Sequence, residues 1–493
     1  MAETQLFNRN CAGDWNEKGM KNFQGDFMQA RRDFARAIAL EPFQPKYYHN
    51  HGRKNLSLDK FEEALADFTT VMRLTPEDDD GCHYRGVAYF FLGHYELALA
   101  CFEEAIRLME KNSVPLIPPT VDWAWMACMR MGKPEQARAL LERYIYPEIP
   151  CGESDMDYKW RTLLYMGHIT PEAFESKIDL HCDVDAITCY YGLANYYRYV
   201  AVDEKKCQAA LERTLSFPTA HNAFAYKLAL LDTAQEAPNT KKGEKTMETT
   251  QTAELEAYLK DHPEDDKKWF ELGMLYFETN FTRARECFSM ALAQEPFNVD
   301  YRFNRGRKAL SDDDFEEALA DFSFCTRIDA KDGFKWHYLA NAYFFLGMYE
   351  QAIEYYQKAM ERHEANGIAL VPPAVDWIFM SYMRAGQSEK AKAFVRAHTS
   401  ADMPVEDSDL SYKKRILLYA GITDIDTYLS KVVNYNDALD AITELYGAVV
   451  YYRDIANDPQ RAAEYVDKVL AYDEYHYCFA YKLALIDKAA MQR

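Results

Sequence analysis

The chain carries the same text twice. Thirty residues from Glu41, EPFQPKYYHNHGRKNLSLDKFEEALADFTT, recur 254 residues later from Glu295 as EPFNVDYRFNRGRKALSDDDFEEALADFSF, with nineteen identical positions. The match runs on through YFFLG (Tyr89 to Gly93; Tyr343 to Gly347), PPTVDW against PPAVDW, and FAYKLAL (Phe224 to Leu230; Phe479 to Leu485). By the last motif the offset is 255, so one residue has been gained on the way. A repeat on this scale fixes architecture before any local motif does. It predicts two domains, residues 1–232 and 253–493, joined by a linker at 233–252. The linker, TAQEAPNTKKGEKTMETTQT, holds only Met247 as a sizeable apolar residue, too little to bury for order of its own.

A finer period lies inside each copy. Gly19, Gly52 and Gly86 are spaced by 33 and 34 residues, and Gly273, Gly306 and Ala340 keep the same spacings. Around the third, Tyr343, Gly347, Tyr349, Ala352, Tyr356 and Ala359 alternate large and small residues; Tyr89, Gly93, Tyr95, Ala98, Phe102 and Ala105 match them in the first copy. This pattern resembles the tetratricopeptide repeat (TPR), a 34-residue helix–turn–helix unit. Small residues admit a close helix crossing, aromatics fill the space beside them, and Gly93 suits the turn. Ala64 and Phe68, like Ala318 and Phe322, share one helix face at i, i+4 spacing. A single pair cannot bury its apolar face, so pairs must stack. The expected fold is all-α, two tandem TPR-type solenoids of about six helix pairs each, closed by the helix of HNAFAYKLALLD.

The order of full and shortened repeats in each half resembles a bacterial TPR lipoprotein family, new lipoprotein I. The likeness rests on Trp123, GHITPEAF from Gly167, LANYYRY from Leu193 and HNAFAYKLAL from His221. Members of that family are dimerising adaptors that present enzymes to one another or to proteases. The resemblance therefore implies a protein-binding role. Carrying the unit twice implies a monomer in which the two halves pair about a pseudo-twofold axis. No acylated cysteine site stands in this chain, so membrane anchoring is not carried over.

Apolar residues at 48 % and charged residues at 27 % are the balance of an ordinary globular chain. A net charge of −21 argues against phosphate-tracking nucleic-acid binding. The eleven cysteines do not recur between the copies: Cys82 aligns with Trp336, Cys128 with Tyr382 and Cys325 with Val71. Neither a disulfide framework nor a zinc site is expected, and the thiols suit a reducing compartment. MAETQLFNRNCAGDW has no signal-peptide pattern, so the expected location is cytoplasmic.

No catalytic signature is present: no H-E-x-x-H, G-x-S-x-G, G-x-x-x-x-G-K-[ST] or G-x-G-x-x-G. The acidic runs Asp78–Asp80 and Asp312–Asp314 lack the alternation of a calcium loop and read as helix-start carboxylates. The chain is expected to be no enzyme and to hold no cofactor or metal. What remains is the face made by the first helix of each pair, where TPR arrays bind peptides. That face should hold Asn50, Arg53, His83, Val87, Phe90 and Phe91, and in the second copy Asn304, Arg307, His337, Asn341, Phe344 and Phe345. Arg and His among aromatics suit an acidic or aromatic-bearing peptide. The expected function is a protein-interaction adaptor. The alternative is a sensor that binds a small molecule or signalling peptide between the solenoids.

Overall fold

The computed structural model describes residues 11–114, 117–236, 250–367, 371–432 and 438–492. Every regular element among them is helical. Helices form where the sequence supplies their ends. Asp26 and Asp78 accept backbone N–H bonds from Gln29 (2.9 Å) and Gly81 (2.7 Å), and Pro45 and Pro134 occupy first turns. Gly93 and Gly347 turn the chain at φ +80° and +73°, as residues without a Cβ can.

The first copy stacks six antiparallel pairs: α1 (Ala12–Lys21) with α2 (Phe27–Leu40), α3 (Pro45–Ser57) with α4 (Phe61–Leu74), and α5 (Asp79–Phe91) with α6 (Tyr95–Asn112). The series continues with α7 (Ile117–Arg130) and α8 (Pro134–Tyr144), α9 (Met156–Tyr165) and the short α10 (Pro171–Glu175), and α11 (Asp183–Tyr199) and α12 (Glu204–Leu215). Helix α13 (Phe224–Glu236) closes the copy. The second copy opens with α14 (Thr250–Asp261), α15 (Asp266–Leu275) and α16 (Phe281–Leu292). Then come α17 (Val299–Ser311), α18 (Phe315–Ile328), α19 (Gly333–Phe345), α20 (Tyr349–Ala365), α21 (Val371–Arg384) and α22 (Ser388–Ala397). After α23 (Leu410–Tyr419) and α24 (Ile425–Val432), α25 (Ala438–Val450) runs into a π-helical turn (Tyr451–Ile455). α26 (Pro459–Leu470) and α27 (Phe479–Met491) complete the chain.

The period-setting small residues sit where helices cross. A Cβ on Gly86 would stand 2.6 Å from Phe102, and one on Gly306 2.8 Å from Phe322. Both rings are fully buried. The motif PP-x-V-D-W has a second role: Asp122 on α7 pairs with Arg161 on α9 at 2.9 Å, and Asp376 on α21 with Arg415 on α23 at 3.1 Å. All four side chains are buried.

The compact units are residues 1–298 and 299–493, so they do not coincide with the copies expected at 1–232 and 253–493. The reason lies on α16, which packs against α4 of the first copy. Arg285 reaches Glu63 at 3.8 Å, and Gln294 donates to the Tyr89 hydroxyl at 3.4 Å. Of the expected linker, 233–236 belong to α13 and 250–252 to α14; residues 237–249 lie outside the described residues. Among the described residues no helix is long and apolar enough to cross a membrane.

Candidate functional site

In the first copy Arg53 and His83 stand on neighbouring first helices, α3 and α5. The Arg53 guanidinium lies over the rings of Phe23 (4.8 Å) and Tyr84 (5.2 Å). His83 shares a 3.0 Å hydrogen bond with the Thr120 hydroxyl on α7 and sets its ring edge against Tyr84 at 5.2 Å. Burial pushes its pKa down to about 4, against the opposing pull of Asp80, so the imidazole is neutral near pH 7. Tyr158 and Asp155, from the start of α9, stand within electrostatic reach of Tyr84. Burial raises the carboxyl of Asp155. Arg53, His83, Tyr84, Asp155 and Tyr158 are all partly exposed.

The second copy rebuilds the same group within its own unit. Arg307 on α17 lies over Tyr338 at 5.5 Å, and His337 sets its edge to Tyr338 at 6.1 Å. Tyr412 and Asp409 take the places of Tyr158 and Asp155. Burial, with His363 nearby, pushes His337 down to about 3. The tyrosines Tyr84, Tyr158, Tyr338 and Tyr412 were not singled out by sequence reasoning. The signal was their recurrence at matching positions in both copies.

The remaining expected residues are placed differently. Asn50 is buried and donates to the Asn16 side chain at 2.8 Å, which joins α3 to α1. Asn304 donates to the Asp300 carbonyl and accepts from Arg307. Val87, Phe90 and Phe344 are core residues, 0 %, 3 % and 2 % exposed. Phe90 packs on Tyr95 and Trp123 at 5.1 Å each, and Phe344 on Tyr349 and Trp377 at 5.3 and 5.0 Å. Asn341 is buried too and accepts from the Tyr356 hydroxyl at 2.5 Å. Phe91 and Phe345 are half-buried: each stacks on Phe61 or Phe315 and approaches Phe224 or Phe479 at 5.8 and 5.3 Å.

Those last contacts belong to the closing helices. Helix α13 crosses the C-terminal ends of first helices α3, α5, α7 and α11. Lys227 donates to the carbonyls of Leu56 (3.1 Å) and Ser57 (2.7 Å) at the end of α3 and pairs with Asp59. Three residues earlier, Phe224 packs on Phe91 and Trp123. Five residues later, Asp232 accepts from Tyr191 (3.0 Å), Arg198 (2.6 Å) and Arg130. Helix α27 makes the same contacts. Lys482 donates to the Ser311 carbonyl (2.8 Å) and pairs with Asp313, and Phe479 packs on Phe345 and Trp377. Asp487 accepts from Arg384 (2.8 Å), Tyr446 (2.8 Å) and Arg453 (2.5 Å). Asp59 and Asp313 both adopt φ +59°. Asp313 therefore serves as an anchor for Lys482 rather than only as a helix-start carboxylate.

A separate cleft of about 640 Å³ lies in the first copy between α10, α11 and α12, with Glu172 and Glu175 opposite Lys206 and Arg213. Its floor includes Ala210, where the second copy has Tyr465 stacked on Tyr452 at 5.4 Å.

Models of the tetratricopeptide repeat match residues 79–112, 278–323 and 335–366. The chain contains tetratricopeptide repeats. The matched segments cover α5–α6, α16 through most of α18, and α19–α20. Over 147 residues the chain is 26 % identical to the heat-shock protein cognate (HSC) co-chaperone sgt12 of Aspergillus fumigatus, 30 % of this chain and 40 % of that protein. Yeast Tom70 aligns over 98 % of this chain and 96 % of its own at 14 % identity and a TM-score of 0.27. Cut9–Hcn1 of the APC/C aligns over 93 % and 92 % at 14 % identity and 0.30. The TPR2AB domain of yeast Sti1, solved as a complex with pHSP90, aligns over 68 % and 98 % at 15 % identity and 0.23. Scores this low carry no functional argument.

Proposed function

We propose that the protein is a non-catalytic interaction adaptor that binds peptide segments of partner proteins on the faces of its first helices. The observation that carries this reading is the repeated Arg–Tyr–His–Tyr–Asp group: Arg53, Tyr84, His83, Tyr158 and Asp155 in one copy, Arg307, Tyr338, His337, Tyr412 and Asp409 in the other. An arginine held over an aromatic ring is preorganised to receive a carboxylate, because little rotamer freedom is left to lose on binding. Neutral imidazoles and tyrosine hydroxyls add hydrogen-bonding capacity without charge. The TPR matches and the co-chaperone relative agree with a protein partner. The likeness of each half to the bacterial lipoprotein adaptors, a cytoplasmic location and a monomeric state belong to the same reading.

The test places a photo-crosslinking residue at Ser57, one turn from Arg53 and outside the group, and compares partner capture in the full chain with and without Arg53→Ala and Arg307→Ala. Capture that falls at least about tenfold in the double variant supports the reading. Capture unchanged by both substitutions removes it.

A further inference from the structure

The two closing helices are held as ligands are held. Each lies across the ends of four first helices and meets them through one aromatic, one lysine and one aspartate at fixed spacing: Phe224, Lys227 and Asp232; Phe479, Lys482 and Asp487. The lysine completes a helix C-terminus, where free carbonyls and the negative end of the dipole favour a cation. The aspartate enters a pocket of two arginines and a tyrosine, and its side chain is almost fully buried (1 % and 3 % exposed). Tyr191 and Tyr446 are buried hydroxyls that would otherwise lack this acceptor. At the other end the anchor is open: the Asp59 and Asp313 side chains are 64 % and 65 % exposed. Each helix also leaves large apolar side chains in solvent, with Leu230 and Leu231 at 47 % and 42 % and Leu485 and Ile486 at 48 % and 40 %. A helix added only to cap a stack would turn polar residues outward.

We infer that α13 and α27 are internal occupants of helix-docking channels, and that the partner helix these channels accept presents an aromatic residue, a lysine three positions on and an aspartate five beyond it. The channel chemistry selects that pattern. The rim wants a cation beside carbonyls and an exposed carboxylate. The depth wants a carboxylate for Arg130, Arg198 and Tyr191, or for Arg384, Arg453 and Tyr446. The wall wants a ring for Phe91 and Trp123, or for Phe345 and Trp377. FAYKLAL is identical in both copies, as are the ring-bearing wall segments YFFLG and the Trp of PP-x-V-D-W. A partner helix engages by competing with the internal one, and the solvent-reachable rim is where exchange starts. The inference rests on the adaptor reading and names the kind of partner it would take.

The test uses the full chain and a fluorescein-labelled peptide of residues 474–492. Lys482→Ala with Asp487→Asn weakens the internal helix while leaving the channel intact. The variant is expected to raise the peptide's anisotropy saturably, at a concentration at least about tenfold below any response of the unmodified protein. A peptide with alanine at both anchor positions should not bind. Lys482→Ala alone, which leaves the buried aspartate in place, is the second variant should the first fail to fold, and it should bind the peptide at an intermediate concentration. A folded variant that ignores the peptide overturns the inference. So does equal binding of the alanine peptide, or a variant that dimerises by exchanging its own helices. Partner capture that still depends on Arg53 and Arg307 while the peptide fails to bind would leave the adaptor reading standing and remove this one alone.

Discussion

Glycine against phenylalanine is the unit from which the stack is made. Gly19 meets Phe34, Gly52 meets Phe68, Gly86 meets Phe102, Gly273 meets Phe288 and Gly306 meets Phe322, each so closely that an added Cβ would fall within 3 Å of the ring. Where the small residue is Ala340, the large one is Tyr356, and its hydroxyl finds Asn341. The glycine gives up helix propensity, about 1 kcal/mol relative to alanine, and the buried ring more than offsets it. Phe322 is fully buried. Phe322→Ala should therefore cost about 3–5 kcal/mol. Thermal unfolding followed by circular dichroism reads the loss, and hydrogen exchange should show it concentrated in α17, α18 and their neighbours. A variant that melts with the parent would mean the ring is not the filler of that crossing.

Between elements, the shortened pairs are tied by buried charge as well as by rings. Asp376 on α21 and Arg415 on α23 are both buried, and Gly447 on α25 leaves room for the arginine stem, since a Cβ there would stand 2.7 Å from its Cγ. Arg415 also donates to the Tyr419 hydroxyl at 3.1 Å. Burial pushes the Asp376 carboxyl up to about 7, with Arg415 pulling the other way. Removing one partner of such a pair leaves an uncompensated charge, so Asp376→Ala should cost about 3–5 kcal/mol, whereas replacing both partners by apolar residues should recover much of the loss. Urea unfolding of the single and double variants measures the difference. A double variant as weak as the single would show that packing, not charge, is what Asp376 supplies.

For the whole chain, the consequential contact is α16 on α4. It places the opening helices of the second copy in a compact unit with the first copy. An engineered protease site within 237–249 should therefore give two fragments that co-elute on gel filtration after cleavage, held by that contact. Fragments that separate without denaturant would show the contact too weak to hold them. At one matching position the copies differ in chemistry: His51 in the first copy pairs with Asp67 at 2.8 Å, whereas Arg305 occupies the matching place in the second and donates to Asp321 at 2.8 Å.

Periodicity determined a good deal by itself. The all-helical class, the pairing of helices, the small-against-large crossings and the turn glycines all follow from spacings within about one repeat, because each depends on residues that are neighbours along a helix or across one turn. Val87, Phe90 and Phe344 are core residues although they share a helical stripe with His83 or His337, because the neighbouring pairs decide how much of that stripe is covered. Tertiary structure alone decided the rest. Nothing in the sequence pairs position 122 with 161, 63 with 285, or 227 with the carbonyls of 56 and 57; these contacts depend on how successive pairs stack. FAYKLAL was legible as a repeated segment, but only the fold shows its lysine and its following aspartate reaching back across the first helices, where long-range packing rather than local spacing sets the partner.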